Sequence, residues 1–492
     1  MTNRISRKEF LKGSAASLLG IGAGLTLGNQ TGAAQSSNPI VLENNKQGTF
    51  DWELSDWSAQ NVIEGYASKT SVQRGSTISF FVNTTASRYT IEIFRLGWYN
   101  GAGGRRMTNA ISRPGVRQTK PTPDATTGLV ECRWPTSYTL TIPNTLTDPT
   151  NWASGIYVAK LTANTGQQSY IPFVVRDDTR VAPYMFQSSV TTYQAYNAWG
   201  GKSLYAFNST FGQRAYKVSF NRPYDTGWGT GDLINDWSGW ELNMLRFLER
   251  EGYDVTYCTN VDTHNRTAQL NNCKAFLSVG HDEYWSRAMR DRVEAGRNNG
   301  KHLGFFTSNA AYWQVRFEPA YNGVADRTLV CYKEAALDPF YADPAKRQFT
   351  TVTWRDAIIN RPEEALLGVQ YAYYPVDADI VISNAGHWVF ANTGLRNGDV
   401  LPGLCGYEAD RIYGIGPANV VQLAHSPLVD DNGPGASDMA IYQHSSGANV
   451  FATGSMQWPW GLDDYFAYWS HPYRVHPAAQ QITRNVLARF AV

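Results

Sequence analysis

The stretch KAFLSVGHDEYWSRAMRDRVEAGRNNGKHLGFFTSNAAYW, residues 274–313, decides the fold of this 492-residue chain. Residues 274–280 form a short apolar run that ends in glycine, and residues 303–307 form another, so each run predicts a buried strand. Between them an apolar side chain recurs at every fourth position from Trp285 to Val293, which predicts a helix lying on a sheet. The Asn-Gly pair that follows predicts the end of this helix.

Polar side chains follow both predicted strands. His281, Asp282 and Glu283 come directly after the first strand, and Asn309 comes soon after the second. A strand, a helix and a strand within about 35 residues form a βαβ unit, whose two strands are parallel. Since ligands bind beyond the carboxyl ends of parallel strands, we expect these side chains to share one site. The alternative is that Asp282 and Glu283 only cap the helix, with His281 bonded to a neighbouring loop.

A second group of candidate residues follows the strand predicted at 182–189. Tyr193, Tyr196 and Asn197 would face the same crevice if this strand lies beside the central pair. A tyrosinate is a hard oxygen ligand that suits ferric iron, whereas a lone tyrosine otherwise packs in the core. The nearby GGKS does not predict nucleotide binding, because position 196 holds tyrosine where a phosphate loop needs its first glycine.

The start of the chain predicts an export signal. Residues 1–34 combine a basic start, an apolar stretch too short to cross a bilayer and small residues that suit cleavage. We therefore expect a mature protein that begins near Gln35, in the periplasm or outside the cell. The SRKEFLK motif is similar to the twin-arginine (Tat) export signal with lysine in place of the second arginine, and Sec export stays open. No other stretch reaches 18 apolar residues, so no membrane span is expected in the mature chain.

The mature chain is predicted to have two domains after a polar linker at 35–48. Several short strands separated by turn-rich segments over 49–178 predict an all-β sandwich of roughly immunoglobulin type. Strands alternate with helices over 182–492, which predicts a parallel sheet with helices on both faces. Within it, residues 371–375 and 379–383 are expected to be strands of an inserted subdomain.

The clearest helix of the chain is predicted at residues 236–251. Ser238 and Glu241 have the spacing of a capping box, and leucines follow at helical intervals. Trp237 and Trp240 occupy the start of this helix.

The composition excludes several classes of function. A formal net charge of +1 provides no basic surface for nucleic acid. Five scattered cysteines without a CxxC motif exclude a zinc ribbon or a thioredoxin motif, and Cys258–Cys273 is the pair closest in sequence for a disulfide. Aromatic residues make up 13% of the chain, which suits core packing or a saccharide- or peptide-binding surface. The GWYNG stretch at 97–101 is either a ligand surface or the end of a strand with a packing tryptophan.

Several longer motifs resemble one protein family, the N,N-dimethylformamidase large (beta) subunit family. They are IEGYAS and FRLGWYNGAGGRR in the first domain, then TYQAYNAWGGKSLY, GHDEYW, TSNAAYW, GYEADR at 406–411 and GSMQWPWGLDD at 454–464. They occur in the family's order and cover nearly the whole mature chain.

This resemblance implies a fold and a set of site residues. The fold would be an N-terminal immunoglobulin-like sandwich followed by a three-layer α/β domain similar to class I glutamine amidotransferases, which is flavodoxin-like. The family's site is a mononuclear iron held by two tyrosines and a glutamate. Carried over to this chain, the expected metal ligands are Glu283, Tyr196 and Tyr205, with Tyr224 as the alternative second tyrosine. The residues expected beside the metal are His281, Asn309 and Glu408.

The function predicted on this basis is metal-dependent hydrolysis of a C–N bond by an exported protein. The substrate would be a small amide or formamide-type molecule, with His281 as general base, Glu408 orienting it and Asn309 bonding the oxyanion. Two alternatives stay open: a non-catalytic or glycan-binding secreted protein, and a glycosidase that uses Asp282 or Glu283. Assembly as a homo-oligomer is also open.

Overall fold

The structure is a computed structural model that describes residues 38–56, 62–145, 151–225, 239–467 and 471–492. The predicted export signal at 1–34 lies outside these residues, as do Ser238 and Trp237. The α-helices are α1 Pro39–Asn44, α2 Val190–Tyr196, α3 Trp240–Arg250, α4 Asn260–Asn265, α5 Thr267–Asn271, α6 Arg287–Asn298, α7 Glu364–Leu367 and α8 Pro477–Phe490.

Strands dominate the described part of the chain, which confirms the prediction of a multidomain protein rich in β-structure. The strands are β1 Ile63–Ala67, β2 Ser71–Gln73, β3 Thr77–Thr84, β4 Arg88–Leu96, β5 Gly104–Arg106, β6 Ile111–Pro114, β7 Tyr138–Thr141, β8 Gly155–Ala163, β9 Gln168–Arg176, β10 Ala182–Ser188, β11 Lys217–Ser219, β12 Val255–Thr259, β13 Cys273–Gly280, β14 Tyr284–Ser286, β15 His302–Thr307, β16 Trp313–Glu318, β17 Thr328–Val330, β18 Gln370–Val381, β19 Val400–Arg411, β20 Val421–Asp430, β21 Gly433–Gln443 and β22 Asn449–Ala452.

The N-terminal unit consists of two sheets around one apolar core. One sheet has the order β1-β3-β7, and the other has the order β2-β9-β8-β4-β5 with β6 also paired to β4. Buried and less buried residues alternate along β3, as expected for a strand with one face in a core. Phe80 from the small sheet and Phe173 from the large sheet meet edge to face, with ring centroids 5.6 Å apart. The two sheets therefore share their inner faces.

The central sheet has seven strands in the order β12-β10-β13-β15-β22-β21-β20. The first five run parallel to their neighbours, while β21 and β20 are antiparallel. Leu277 belongs to a core shared with α3 and α8, whereas its neighbour Phe276 packs in a core with Met289 and Val293 of α6. Helices therefore cover both faces, and the predicted βαβ unit at 274–307 is confirmed.

The helix of that unit begins later than the sequence predicts. Trp285 lies in β14, which pairs in parallel with β16, so it is not part of the helical stripe. The helix starts at Arg287, because the Ser286 hydroxyl accepts the backbone N–H of Met289 at 3.2 Å and caps the helix. It ends at Asn299 and Gly300, whose φ of +86° suits glycine.

The capping box predicted for the helix at 236–251 depends on Ser238, which lies outside the described residues. The residue before α3 is Gly239, in the left-handed conformation with φ of +65°, and no side chain in the described ranges caps the start of the helix. The Glu241 carboxylate instead accepts the backbone N–H of Ser189 at 2.7 Å, which ties α3 to the loop after β10. Glu241 therefore serves a tertiary contact in place of a local one.

The two short strands predicted at 371–375 and 379–383 form a single longer strand, β18. It pairs antiparallel with β19, with three irregularities in register. Those irregularities explain why the sequence breaks into two apparent strands.

A separate four-stranded sheet has the order β11-β17-β16-β14.

The polar segment predicted as a linker at 35–48 contains α1, whose Ile40 and Glu43 are buried. The Asn44 amide donates to Glu249 of α3 at 2.8 Å. Arg95 of β4 donates to both carboxylate oxygens of Glu249, at 2.7 and 2.9 Å. This part of the chain therefore packs against both units.

All five cysteines lie within the described residues, and each is a buried thiol without a disulfide partner. The disulfide considered between Cys258 and Cys273 is absent. No helix in the described ranges combines the length and apolar character that crossing a bilayer requires.

Candidate functional site

The candidate site lies at the carboxyl ends of three parallel strands. The chain leaves β10 into α2, whose last residue is Tyr196. It leaves β13 at Gly280, where a φ of +73° turns the backbone towards His281 and Glu283. Beyond β15, Asn309 is held in the left-handed conformation with φ of +52°. Sharp turns at these strand ends bring the three segments together.

Four oxygen-bearing side chains converge at the centre of this site. The Tyr196 phenol donates to Glu283 Oε2 at 3.1 Å, and the Tyr205 phenol lies 3.0 Å from both oxygens of the same carboxylate. The Tyr284 phenol donates to the oxygen of Tyr205 at 2.5 Å. The Tyr196 and Tyr205 rings stack with centroids 4.3 Å apart. The Thr192 hydroxyl accepts the backbone N–H of Glu283 at 3.0 Å, and this hydrogen bond holds the backbone of Glu283 in place.

Lys333 adds a positive charge to this cluster. Its ammonium nitrogen lies 3.3 Å from the centroid of the Tyr205 ring and 4.9 Å from that of Trp313. Burial lowers the pKa of Lys333 to about 8, although the charge of Glu283 acts in the opposite direction. Such a desolvated cation over an aromatic ring is a strong cation–π contact.

The ionisation of the cluster follows from these neighbours. Burial acts to raise the pKa of Glu283, but the hydrogen bond and charge of His281 and the charge of Lys333 hold it below its usual value. Burial and the Glu283 charge raise the pKa of the Tyr196 and Tyr205 phenols well above their usual values. An ionised carboxylate is thus surrounded by protonated phenols that donate to it.

His281 connects this cluster to a second carboxylate. Its Nε2 atom lies 3.2 Å from Glu283 and 3.4 Å from Glu408. The rings of Tyr196 and Trp240 flank the imidazole, with centroid distances of 5.3 and 6.4 Å. Burial raises the pKa of Glu408 to about 7, which the nearby charge of His281 partly opposes. The pair therefore contains a carboxyl group that titrates close to neutral pH.

Asn309 is held between two acidic residues of β19. Its side-chain amide donates to Glu408 at 2.8 Å, and its backbone N–H donates to Asp410 at 2.9 Å. The Ser308 hydroxyl also donates to Asp410, at 2.5 Å. Because residues two apart on a strand share a face, one strand supplies both acceptors. Asp410 thereby fixes the backbone of Asn309.

The structure places six predicted residues in this one cluster: His281, Glu283, Asn309, Glu408, Tyr196 and Tyr205. Tyr205, and not the alternative Tyr224, supplies the second phenol against Glu283. Tyr224 instead lies near the buried guanidinium groups of Arg222 and Arg327.

Asp282 does not face this cluster, and the helix-capping alternative is wrong. Its carboxylate accepts hydrogen bonds from Gln187, Asn260 and Ser278 at 2.8–2.9 Å and is fully buried. It is therefore closed to a substrate, which disfavours a glycosidase that uses it. The helix cap is Ser286, three residues beyond Glu283.

Sequence reasoning missed Lys333, Tyr284 and Asp410. Tyr284 and Asp410 lie inside the quoted motifs GHDEYW and GYEADR. Asp410 lies two positions beyond Glu408 on β19, so the two-residue period of a strand could have indicated it. Lys333 lies outside every motif, and only its left-handed backbone, with φ of +63°, marks it.

The chemistry of the donor set decides which metal could fit. Within the described ranges no group of three or more His, Cys, Asp and Glu side chains has the geometry of a metal site. A metal at this site would therefore take phenol oxygens together with the Glu283 carboxylate. Hard oxygen donors of this kind suit a hard cation such as ferric iron, so the residues fit the expected group.

Fold and site together define a multidomain, β-rich protein with a tyrosine–carboxylate centre at the carboxyl ends of parallel strands. The sequence profile of N,N-dimethylformamidase beta subunit-like proteins, C-terminal part, matches residues 90–473. The chain therefore belongs to the N,N-dimethylformamidase beta subunit-like family.

Comparisons with individual proteins give low sequence identities. It is 23% identical over 439 residues to the N,N-dimethylformamidase beta subunit of an Alcaligenes species, covering 74% of this chain and 55% of that protein. The chain thus spans about half the length of this relative. Two solved structures are only distantly similar. A Pseudomonas fluorescens alkylpurine DNA glycosylase bound to DNA has a TM-score of 0.15, with 13% identity over 23% of this chain and 30% of that one. A Paenibacillus cycloisomaltooligosaccharide glucanotransferase has a TM-score of 0.16, with 11% identity over 80% and 68%. Similarities this low carry no argument about fold or function.

Proposed function

We propose that this protein is an exported amidohydrolase that hydrolyses the C–N bond of a small amide or formamide-type substrate. The observation that carries the proposal is the convergence of the Tyr196 and Tyr205 phenols on Glu283, at 3.0–3.1 Å, beside the imidazole of His281. Family membership supports it, because the matched relative is named as a dimethylformamidase subunit. That name also supports assembly with further subunits.

We further propose the finer fold classes. Numbered in chain order, the five parallel strands run 2-1-3-4-5 across the central sheet, which is the flavodoxin-like order. This order supports a class I glutamine-amidotransferase-like domain over 182–492. Two sheets packed around one core support an immunoglobulin-like sandwich over 49–178.

We propose that Tyr196, Tyr205 and Glu283 hold one iron ion. Bound there, iron would act as a Lewis acid that polarises the amide carbonyl. Both phenols would have to lose their protons on binding, and their raised pKa values oppose this loss. Iron uptake should therefore release protons and strengthen as the pH rises.

The proton steps of the proposed reaction belong to His281 and Glu408. The imidazole accepts a proton from the attacking water as the new C–O bond forms at the carbonyl carbon. The imidazolium produced would lie 3.2 Å from Glu283 and 3.4 Å from Glu408, whose charges stabilise it. His281 then returns the proton to the leaving nitrogen as the C–N bond breaks, which yields a carboxylic acid and an amine.

Asn309 is proposed to stabilise the developing oxyanion. Its amide group has two N–H donors, and one is used by Glu408 at 2.8 Å. The second N–H is then available to the carbonyl oxygen as negative charge develops. The contacts of Asp410 to Ser308 and Asn309 hold this amide in place without using it.

The test is an assay of the purified full chain for iron content and for amine release from a panel of formamides, acetamides and larger amides. We expect close to one iron per chain and amine release from at least one amide. Metal-free, colourless protein that hydrolyses none of them would contradict the proposal. Intact mass of protein recovered from the periplasm or medium tests the export step: retention of residues 1–34 would contradict it.

A further inference from the structure

A cavity that none of the proposed hydrolytic residues lines lies where α1 and its following loop meet the turn after β4 and the end of α3. Its volume is about 910 Å³. Its walls include Trp98 and Asn100, from the GWYNG stretch that the proposed hydrolysis does not use. Cavities of this size are typical of small-molecule sites.

The wall that carries Trp98 is held in a strained conformation. Tyr99 and Asn100 both have left-handed backbones, with φ of +44° and +53°, although neither is glycine. Non-glycine residues rarely adopt this conformation, and such strain is concentrated at ligand clamps and active sites. The Asn44 side chain accepts the backbone N–H groups of Trp98 and Tyr99 at 2.8 and 3.0 Å, which holds this turn.

Neighbouring side chains also fix the Trp98 indole. The guanidinium carbons of Arg246 and Arg250 lie 4.9 and 5.5 Å from its ring centroid. Across the turn, Gly48 packs so closely that an added methyl group would come within 2.6 Å of the Tyr99 β-carbon. The cavity walls are thus set before a ligand arrives, which lowers the entropy cost of binding.

The charged groups around the cavity are already paired. Lys46 lies 3.2 Å from Glu43, Arg106 donates to Asp51 at 3.1 Å, and Arg484 pairs with Glu251 at 2.8 Å. Glu249 and Arg250 are likewise in ion pairs, with Arg95 and Asp463. A charged ligand would therefore meet no unpaired charge.

The neutral groups define the ligand class. Asn45, Gln47 and Asn100 offer exposed amides, and Trp98 and Phe50 offer aromatic surface. Amides donate and accept hydrogen bonds in one plane, which matches vicinal hydroxyl groups, while aromatic rings cover apolar C–H surface. We propose that this cavity binds a neutral saccharide, independently of the hydrolytic site.

The experiment titrates the full chain with cellotriose, maltotriose and N,N′,N″-triacetylchitotriose, and saturation-transfer difference NMR measures the binding. A sulfated disaccharide serves as the anionic probe. We expect saturable binding of at least one neutral trisaccharide and none of the anionic probe. Absence of saturable binding for all three neutral probes, or preference for the anion, would overturn the proposal.

Variants of the lining residues test whether the saccharide binds in this cavity. Trp98→Ala and Asn100→Gly should each weaken it at least tenfold, and glycine relaxes the left-handed backbone at position 100, so Asn100→Gly stays folded. Phe211→Ala is the matched control, since Phe211 is 92% exposed and does not line the cavity. Unchanged affinity in Asn100→Gly with a native melting temperature would overturn the assignment of this cavity.

Discussion

The phenol oxygen of Tyr205 lies 3.0 Å from each carboxylate oxygen of Glu283. Two residues 78 positions apart in sequence thus share a bidentate contact. The Tyr196 phenol donates to the same carboxylate at 3.1 Å, so the three proposed metal ligands are in direct contact with one another.

Replacing Glu283 and His281 separates metal binding from catalysis. Glu283→Ala removes one of three proposed oxygen ligands, so the protein should lose its iron and any phenolate-to-iron colour. His281→Ala should keep the iron and lose about 10²–10⁴-fold in hydrolysis, the usual contribution of a general base. Metal stoichiometry and amine release are measured on both variants beside wild type. Iron retained in Glu283→Ala would remove Glu283 from the ligand set.

Two tyrosine substitutions decide the identity of the second phenol. Tyr205→Phe removes the oxygen that contacts Glu283 while it keeps the ring under Lys333, so iron binding and colour should be lost. Tyr224→Phe is the matched control and should keep both. Iron titration followed by visible absorption measures the outcome. The reverse pattern would assign the ligand to Tyr224.

Substitution of Asp410 tests its role in holding Asn309. Asp410→Ala leaves the Ser308 hydroxyl and the Asn309 backbone N–H buried without an acceptor, at a cost of about 1–3 kcal/mol each. Asp410→Asn retains an acceptor oxygen and should lose much less stability. Urea unfolding of the two variants gives the comparison. Equal stability of both would show that the acceptor is not needed.

Glu241 should make the stability of the protein depend on pH. Burial raises its pKa from 4.5 to about 7, so the native state keeps a proton that the unfolded chain releases. The stability of this neutral form is complete below about pH 4.5 and is lost as the pH rises through 7. Glu241→Gln keeps the acceptor for Ser189 and should gain over wild type as the pH rises, reaching about 3 kcal/mol above pH 7. Parallel stability curves from pH 4 to 8 would contradict this.

The buried pair of Arg95 and Glu249 should couple the two units of the chain. Both side chains are fully buried, so Glu249→Ala leaves an uncompensated guanidinium and should cost about 3–5 kcal/mol. Adding Arg95→Met to this variant should recover part of the loss, because no charge is then left unpaired. Glu251→Ala, which breaks the more exposed pair with Arg484, should cost less than about 1 kcal/mol. Chemical denaturation of the four proteins makes the comparison, and equal losses at 249 and 251 would contradict the coupling.

The sequence predicts the central βαβ unit well because its signals are local. An apolar run, a helical stripe and an Asn-Gly stop each depend on neighbouring residues, and β13, α6 and β15 follow them closely. The placement of polar residues at strand ends also led to His281 and Asn309. The helix α6 begins later than predicted because Trp285 lies in a strand that pairs with β16, and no local sequence pattern reveals this pairing.

The rest of the site depends on contacts that span the chain. Glu408 reaches the site on β19, and its selection rested on the family resemblance alone. Tyr205 and Tyr224 could not be separated, because which loop folds over Glu283 is decided by tertiary packing. Glu241 has the sequence spacing of a capping-box residue, but its carboxylate accepts the backbone N–H of Ser189. Local propensity is overridden wherever a buried donor elsewhere needs an acceptor.

Strand β15 pairs in parallel with β22, so during synthesis it can complete the sheet only after β22 has been made. The His302 imidazole accepts the backbone N–H of Asn449, 147 residues later in the chain. At about 5–20 residues per second, the ribosome needs on the order of ten seconds to deliver that partner. Throughout this interval β15 presents an unpaired edge, which invites association between nascent chains. A chain that stops before Asn449 keeps that edge unpaired, so we expect truncation before β22 to promote aggregation.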